Sequence, residues 1–234
     1  MFIISCYFDE QKSIIGETIN SIRKFHPKEK IIICDSDSPD KSYAQKYICN
    51  YVEFFDAKNK RRPIGALLET YKKYPNEPYY VLIHDSCSLV SSIQNFIDRD
   101  EELISFFQTT RTISTIPSDK REVYFNWMEK LFSKLSYELK LNFKEDEFHS
   151  LVVGCMGIYK KSLLEKFIKN GVYESMESHS FYDSCWAERA IGYIAKIEGI
   201  DLKKSCVEEG DALSMWYDMP TGSLPYIKKI CFGR

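Results

Sequence analysis

Two short apolar runs, each breaking off into acidic and hydroxyl residues, constrain this chain most. The first is Lys30-Ile31-Ile32-Ile33-Cys34, followed by Asp35-Ser36-Asp37-Ser38-Pro39-Asp40. The second is Tyr79-Tyr80-Val81-Leu82-Ile83, followed by His84-Asp85-Ser86-Cys87-Ser88. Short β-branched and aromatic runs bounded by turn residues read as buried strands. In α/β sheets the ligand crevice lies beyond the carboxyl ends of the strands. Carboxylates placed there can hold a ribose, a base edge or a divalent cation on a pyrophosphate. The pattern suits a nucleotide-type ligand, although no glycine-rich phosphate loop follows any strand.

The surrounding periodicity predicts an α/β fold with a mainly parallel central sheet flanked by helices. Residues 2–8 read as a first strand. Residues 12–25 carry Ile14, Ile15, Ile19, Ile22 and Phe25 at helical spacing, and Pro27 stops that helix. Strands follow at 30–34, 51–55 and 79–84, separated by a short helix at 41–49 and a longer one at 63–74. Pro63 stands near the start of the longer helix, and Pro75 and Pro78 close it. Strands alternating with helices in this way imply right-handed crossovers and helices on both faces.

The second half is less regular. Residues 91–108 read as helix and 110–116 as extended. Residues 121–140 read as an amphipathic helix with Val123, Trp127, Leu131, Leu135 and Leu139 on one stripe, a core or lid face. Residues 150–159 read as a strand with two glycines, 160–170 and 183–198 as helices, and 211–234 as an irregular aromatic tail. No repeat, low-complexity tract or linker divides the 234 residues, so one domain is expected.

Bulk properties exclude several classes. A net charge of −2 gives no global basic footprint for nucleic acid. The local run Lys58-Asn59-Lys60-Arg61-Arg62 reads equally as a solvated loop or as an anion-contacting one. Eight cysteines without a CxxC, several inside apolar strands, suit reduced thiols in a cytoplasmic setting and give no zinc-ligand spacing. The N-terminus lacks a basic region ahead of its apolar run and reads as a strand rather than a signal peptide. No apolar window is long enough for a membrane span.

Three segments carry candidate chemistry. Asp35 to Asp40 reads as a self-bonded Asp/Ser turn or as a ligand edge. His84 to Ser88 puts polar groups after a buried strand, where they need partners. His84 there could be a metal ligand, a phosphate donor or a core histidine, and Asp85 could hold magnesium or manganese. Glu188, in Asp183-Ser184-Cys185-Trp186-Ala187-Glu188-Arg189, is a surface glutamate or a general base.

Taken in order, these segments resemble nucleotide-sugar glycosyltransferases of the GT-A fold, particularly the large inverting family 2. Tyr7-Phe8-Asp9-Glu10 is similar to that family's Tyr-x-x-Glu turn. Residues 35–42 resemble its Asp-Asp-Gly-Ser-x-Asp-x-Ser segment, matching at Asp35, Ser38, Asp40 and Ser42. Residues 79–90 are similar to the strand carrying its Asp-x-Asp metal motif, with Asp85 at the first acidic position and Cys87 at the second. Residues 153–166 look like its acceptor-side strand and helix.

The resemblance implies transfer of a sugar from a nucleotide-sugar donor to a glycan, lipid or protein acceptor in glycan biosynthesis. It implies a nucleotide-binding half at 1–110 and an acceptor-side half at 111–234. Tyr7, Glu10, Asp35, Asp37, Arg61, Arg62 and Asp85 would line the donor site. Asp85 and His84 would hold a manganese or magnesium ion, and Glu188 would be the catalytic base. Two other readings stay open: a catalytically degenerate binding or scaffold domain, and another nucleotide-binding transferase. A dehydrogenase is disfavoured because no GxGxxG follows a strand.

Overall fold

The computed structural model describes residues 1–11, 13–58, 62–111, 118–135, 149–175, 181–208 and 225–229. The Ile-rich runs form strands that are buried at every position: β1 (Phe2–Cys6) and β2 (Ile31–Asp35). Full burial is what a parallel strand covered on both faces requires. Helix α1 (Ile15–Phe25) joins them, with Ile15, Thr18, Ile19 and Ile22 buried. Glu17 in its first turn and Arg23 and Lys24 in its last complement the helix dipole. A 3-10 segment over Ser42–Tyr47 leads to β3 (Val52–Asp56), and α2 (Arg62–Lys73) leads to β4 (Tyr79–His84).

The remaining elements are β5 (Cys87–Leu89), α3 (Gln94–Ile97), β6 (Leu103–Ser105), β7 (Gln108–Arg111) and α4 (Ser118–Ser133). After these come β8 (His149–Val152), β9 (Gly157–Lys160), α5 (Lys161–Lys169), α6 (Val172–Ser175), α7 (Phe181–Ile197) and β10 (Ile227–Lys229). One six-stranded sheet runs β3-β2-β1-β4-β9-β6. Its first four strands are parallel, and β9 is antiparallel to both β4 and β6. Two antiparallel pairs, β5–β10 and β7–β8, stand outside it. Among the described residues no helix is long and apolar enough to cross a membrane.

Strand pleating divides the core into two layers. Ile3, Ile32 and Leu82 face α2, α5 and α7 through Leu67, Leu163, Phe167, Ile191 and Ile194. Phe2, Ile4, Ile33 and Ile83 face α1 and α3 through Ile15, Ile19, Ile22 and Phe96.

The α/β expectation holds, and the second half departs from it in three places. The helix expected over 91–108 is only the single turn α3, after which the chain enters β6. Leu103 and Ile104 complete the edge of the sheet beside β9, and that pairing outweighs local helical spacing. The strand expected over 150–159 splits into β8, a 3-10 turn at Val153–Cys155, and β9. In α4 the buried stripe is Tyr124, Met128, Leu131 and Phe132, while Val123 is 51% exposed. Residues 136–140 of that expected helix, and most of the aromatic tail, lie outside the described residues.

Candidate functional site

The chain runs outward from β1 through β2 to β3, then crosses back to place β4 on the other side of β1. The crevice at such a reversal lies between the carboxyl ends of the two central strands. Here those ends are Cys6 and His84-Asp85. Asp85 is 1% exposed, and its Oδ2 accepts the Cys6 thiol at 3.2 Å. Burial, and next the Asp85 charge, push the Cys6 thiol far above its ordinary pKa, so it stays a neutral donor. The Asp85 backbone is also tied down. Its N–H donates to the Ser5 carbonyl, and its own carbonyl accepts from Ile14 N–H just before α1.

The end of β2 is organised differently. Asp35 is wholly buried, with Oδ1 accepting Ser38 N–H at 2.8 Å and Oδ2 accepting the Ser38 and Tyr43 hydroxyls. Ser38 Oγ in turn accepts Phe8 N–H, and the Phe8 ring stacks on Tyr43 with centroids 4.2 Å apart. Asp37, half-buried, bends the chain with φ 69. Asp40 accepts from the Ser42 backbone and hydroxyl, and Lys41 pairs with Asp56 at 2.9 Å. Within this self-bonded turn Ser36 Oγ is enclosed and has no hydrogen-bond partner among the described residues. An orphaned buried hydroxyl asks for an explanation, and a ligand polar group supplies one.

A third cluster forms where Val153–Cys155 passes the end of β4. His84 Nε2 donates to the Gly154 carbonyl at 2.8 Å, which fixes the proton on that nitrogen. The Gly154 N–H donates to the Glu188 carboxylate, so one residue is held at both backbone groups, by β4 and by α7. Gly154 has φ +64, and a Cβ there would lie 2.7 Å from His84 Cε1. Only glycine tolerates both constraints. Cys155 is also left-handed, at φ 53, a strained state that clusters at functional sites.

Glu188 is half-buried as a residue, but its carboxyl is the end surrounded by protein. Loss of hydration raises its pKa to about 7, and the Gly154 N–H, Lys229 and Arg189 limit the rise. A carboxyl poised near neutrality suits a general base. Lys229 enters from β10, where it is registered opposite Cys87, and its Nζ lies 3.9 Å from the Cys87 sulfur.

The structure thus gathers Asp85, His84 and Glu188 around the carboxyl end of β4, with Asp35 at the end of β2, on the far side of β1. Tyr7 and Glu10 follow β1 and are exposed. Arg61 lies outside the described residues, as does the Arg62 side chain, whose backbone opens α2. Sequence reasoning missed Gly154, Ser36 and Lys229. The Val-Gly-Cys interruption of an apolar run was a usable sign for Gly154. Nothing in Ile227-Lys228-Lys229 marks its second lysine.

Asp85 supplies one carboxylate where the expected motif has two. Magnesium and manganese take oxygen ligands, commonly carboxylates together with phosphates. Cys87, at the second acidic position of the expected motif, is a buried thiol 3.8 Å from Met156 Sδ, and burial raises its pKa. His84 donates its Nε2 proton to the Gly154 carbonyl, so only Nδ1 could serve as a ligand. Among the described residues no three potential ligands converge.

The family model for glycosyl transferase family 2 matches residues 2–168. The chain belongs to that family. Within this family 2 chain the match runs from β1 to α5, so Glu188 and Lys229 lie beyond it. The sheet and flanking helices are of GT-A type. No curated protein matches the chain. Among solved structures it is similar to S. aureus TarS 1-349, with 14% identity, 79% of this chain and 52% of that chain covered, and a TM-score of 0.39. The same protein in complex with UDP gives 13% identity, coverage of 79% and 53%, and a TM-score of 0.41. The chain spans about half the length of those structures.

Proposed function

We propose that this chain transfers a sugar from a nucleoside-diphosphate sugar to a hydroxyl of a glycan, lipid or protein acceptor, with inversion at the anomeric carbon. The observation that carries this reading is the Glu188 carboxyl, raised to about 7 and aimed by the Gly154 N–H beside the end of β4. Family membership supports the reaction class. The free thiols Cys6, Cys34, Cys49, Cys87, Cys155 and Cys206 support a reducing, cytoplasmic setting.

In this reading Glu188 takes the proton of the acceptor hydroxyl as its oxygen attacks the anomeric carbon. The bond from that carbon to the diphosphate oxygen breaks, and its electron pair leaves with the nucleoside diphosphate. Ser36 and Asp85 face the nucleoside end of the donor, and Asp35 acts indirectly by holding the loop that carries Ser36.

The test is release of nucleoside diphosphate from a panel of nucleotide sugars with mixed glycan and lipid acceptors. Glu188→Gln should lower turnover by roughly a hundred- to ten-thousandfold while donor binding persists. One observation favours a second reading, a binding domain without catalysis: Cys87 stands where the family places an acid. Donor binding without turnover on any acceptor, unchanged in Glu188→Gln, would establish that reading instead.

A further inference from the structure

Cys87 and Lys229 form a cross-strand pair at the position where the expected metal motif would place its second acid. β10 is not loosely laid against β5. The buried Glu208 carboxylate accepts the N–H groups of Tyr226 and Ile227 at 2.7 and 2.8 Å. Val90 N–H donates to the Tyr226 carbonyl, and Ser91 Oγ donates to the Pro225 carbonyl at 2.7 Å. These contacts fix the strand's register and deliver the Lys229 ammonium beside Cys87, two residues after Asp85, within electrostatic reach of Glu188. An ammonium there repels a divalent cation and attracts a diphosphate. It carries three donors that can meet phosphate oxygens directly.

We propose that Lys229 takes the place of a divalent cation at the donor diphosphate, so that this chain binds its nucleotide without metal. The inference rests on the donor reading above. Lys229 neutralises the charge that grows on the diphosphate as the anomeric bond breaks, the electrostatic service otherwise given by a metal ion. Glu208 serves as a positioning residue, acting through the backbone of β10. Asp85 is left to the nucleoside side of the ligand.

The test is calorimetric binding of uridine and guanosine diphosphate to the full chain, in chelator and again in excess manganese. The wild type should bind at least one of them in chelator, with manganese changing Kd less than about twofold. Lys229→Met should weaken that binding roughly ten- to hundredfold, the scale of a charge-assisted contact, and Lys229→Arg should restore most of it. Binding of the matching nucleoside, which lacks phosphates, should be the same in all three proteins and shows that the variants are folded. Tightening of about tenfold or more by manganese, or equal diphosphate binding by Lys229→Met, would overturn the proposal and leave the donor reading standing. No diphosphate binding with or without manganese would overturn both.

Discussion

At the end of β2, Asp35 receives Ser38 twice and Tyr43 once, and the loop beyond it closes on its own side chains. At the end of β4, the polar groups reach across the fold instead. His84 and Glu188 hold opposite sides of Gly154, Cys6 donates to Asp85, and Lys229 arrives from the last described strand. The β2 loop matches the family motif more closely, and its first acid accepts three hydrogen bonds from its own loop. The β4 end departs from its motif, yet it gathers the groups to which we assign proton transfer and phosphate neutralisation. A saturated carboxylate fixes a loop, whereas an enclosed, incompletely compensated one has a displaced pKa and is available for chemistry.

Exchanging the carboxylates should separate these roles. The largest effect belongs to Glu188→Gln, with turnover falling about a thousandfold and little loss of folded protein, read by product formation. A stability loss without a catalytic one would erase the distinction between the two strand ends. Next comes Gly154→Ala, which combines a left-handed backbone with the His84 contact. It should cost about 2–4 kcal/mol in urea unfolding and also depress turnover, because it displaces the partner of Glu188.

Asp35→Asn should cost about 1–3 kcal/mol by weakening three buried hydrogen bonds. Asp85→Asn should lower the unfolding midpoint less and nucleotide affinity more. The reverse ranking in parallel thermal and binding measurements would break the comparison.

The pH dependence is smaller and has a fixed sign. Glu188 titrates at about 7 when folded, against an ordinary value of 4.5. Between those values the folded chain keeps a proton that the unfolded chain has released. This group's contribution therefore makes stability fall as pH rises through the window, with no further change above it. Glu188→Gln should gain about 1–3 kcal/mol over the wild type above pH 7 and lose that advantage below about pH 4.5, read by denaturant unfolding at both ends. Wild-type turnover should rise with pH through about 7 as the base ionises. The smallest effect is Tyr43→Phe, which removes one donor to Asp35 and should cost about 1 kcal/mol without altering turnover.

Ile31 to Ile33 and Tyr80 to Ile83 fixed two central strands through local composition, and Pro27, Pro75 and Pro78 marked where their neighbouring elements stop. Carboxylates following those strands were likewise legible, because a polar break after a buried run has few cheap placements. Leu103-Ile104-Ser105 carried no comparable local mark. Its strand state comes from pairing with β9, more than fifty residues later in the chain.

By itself, then, the sequence determined the alternating strands and helices of the first half and the acids at their carboxyl ends, since periodicity and turn chemistry act within a few residues. Only the tertiary structure decided which acid is saturated and which is poised. It also decided that Gly154 joins β4 to α7 and that Lys229 lies beside Cys87. Hydration loss, hydrogen-bond partners and charge proximity are set by segments that meet across the fold, and no local pattern encodes them.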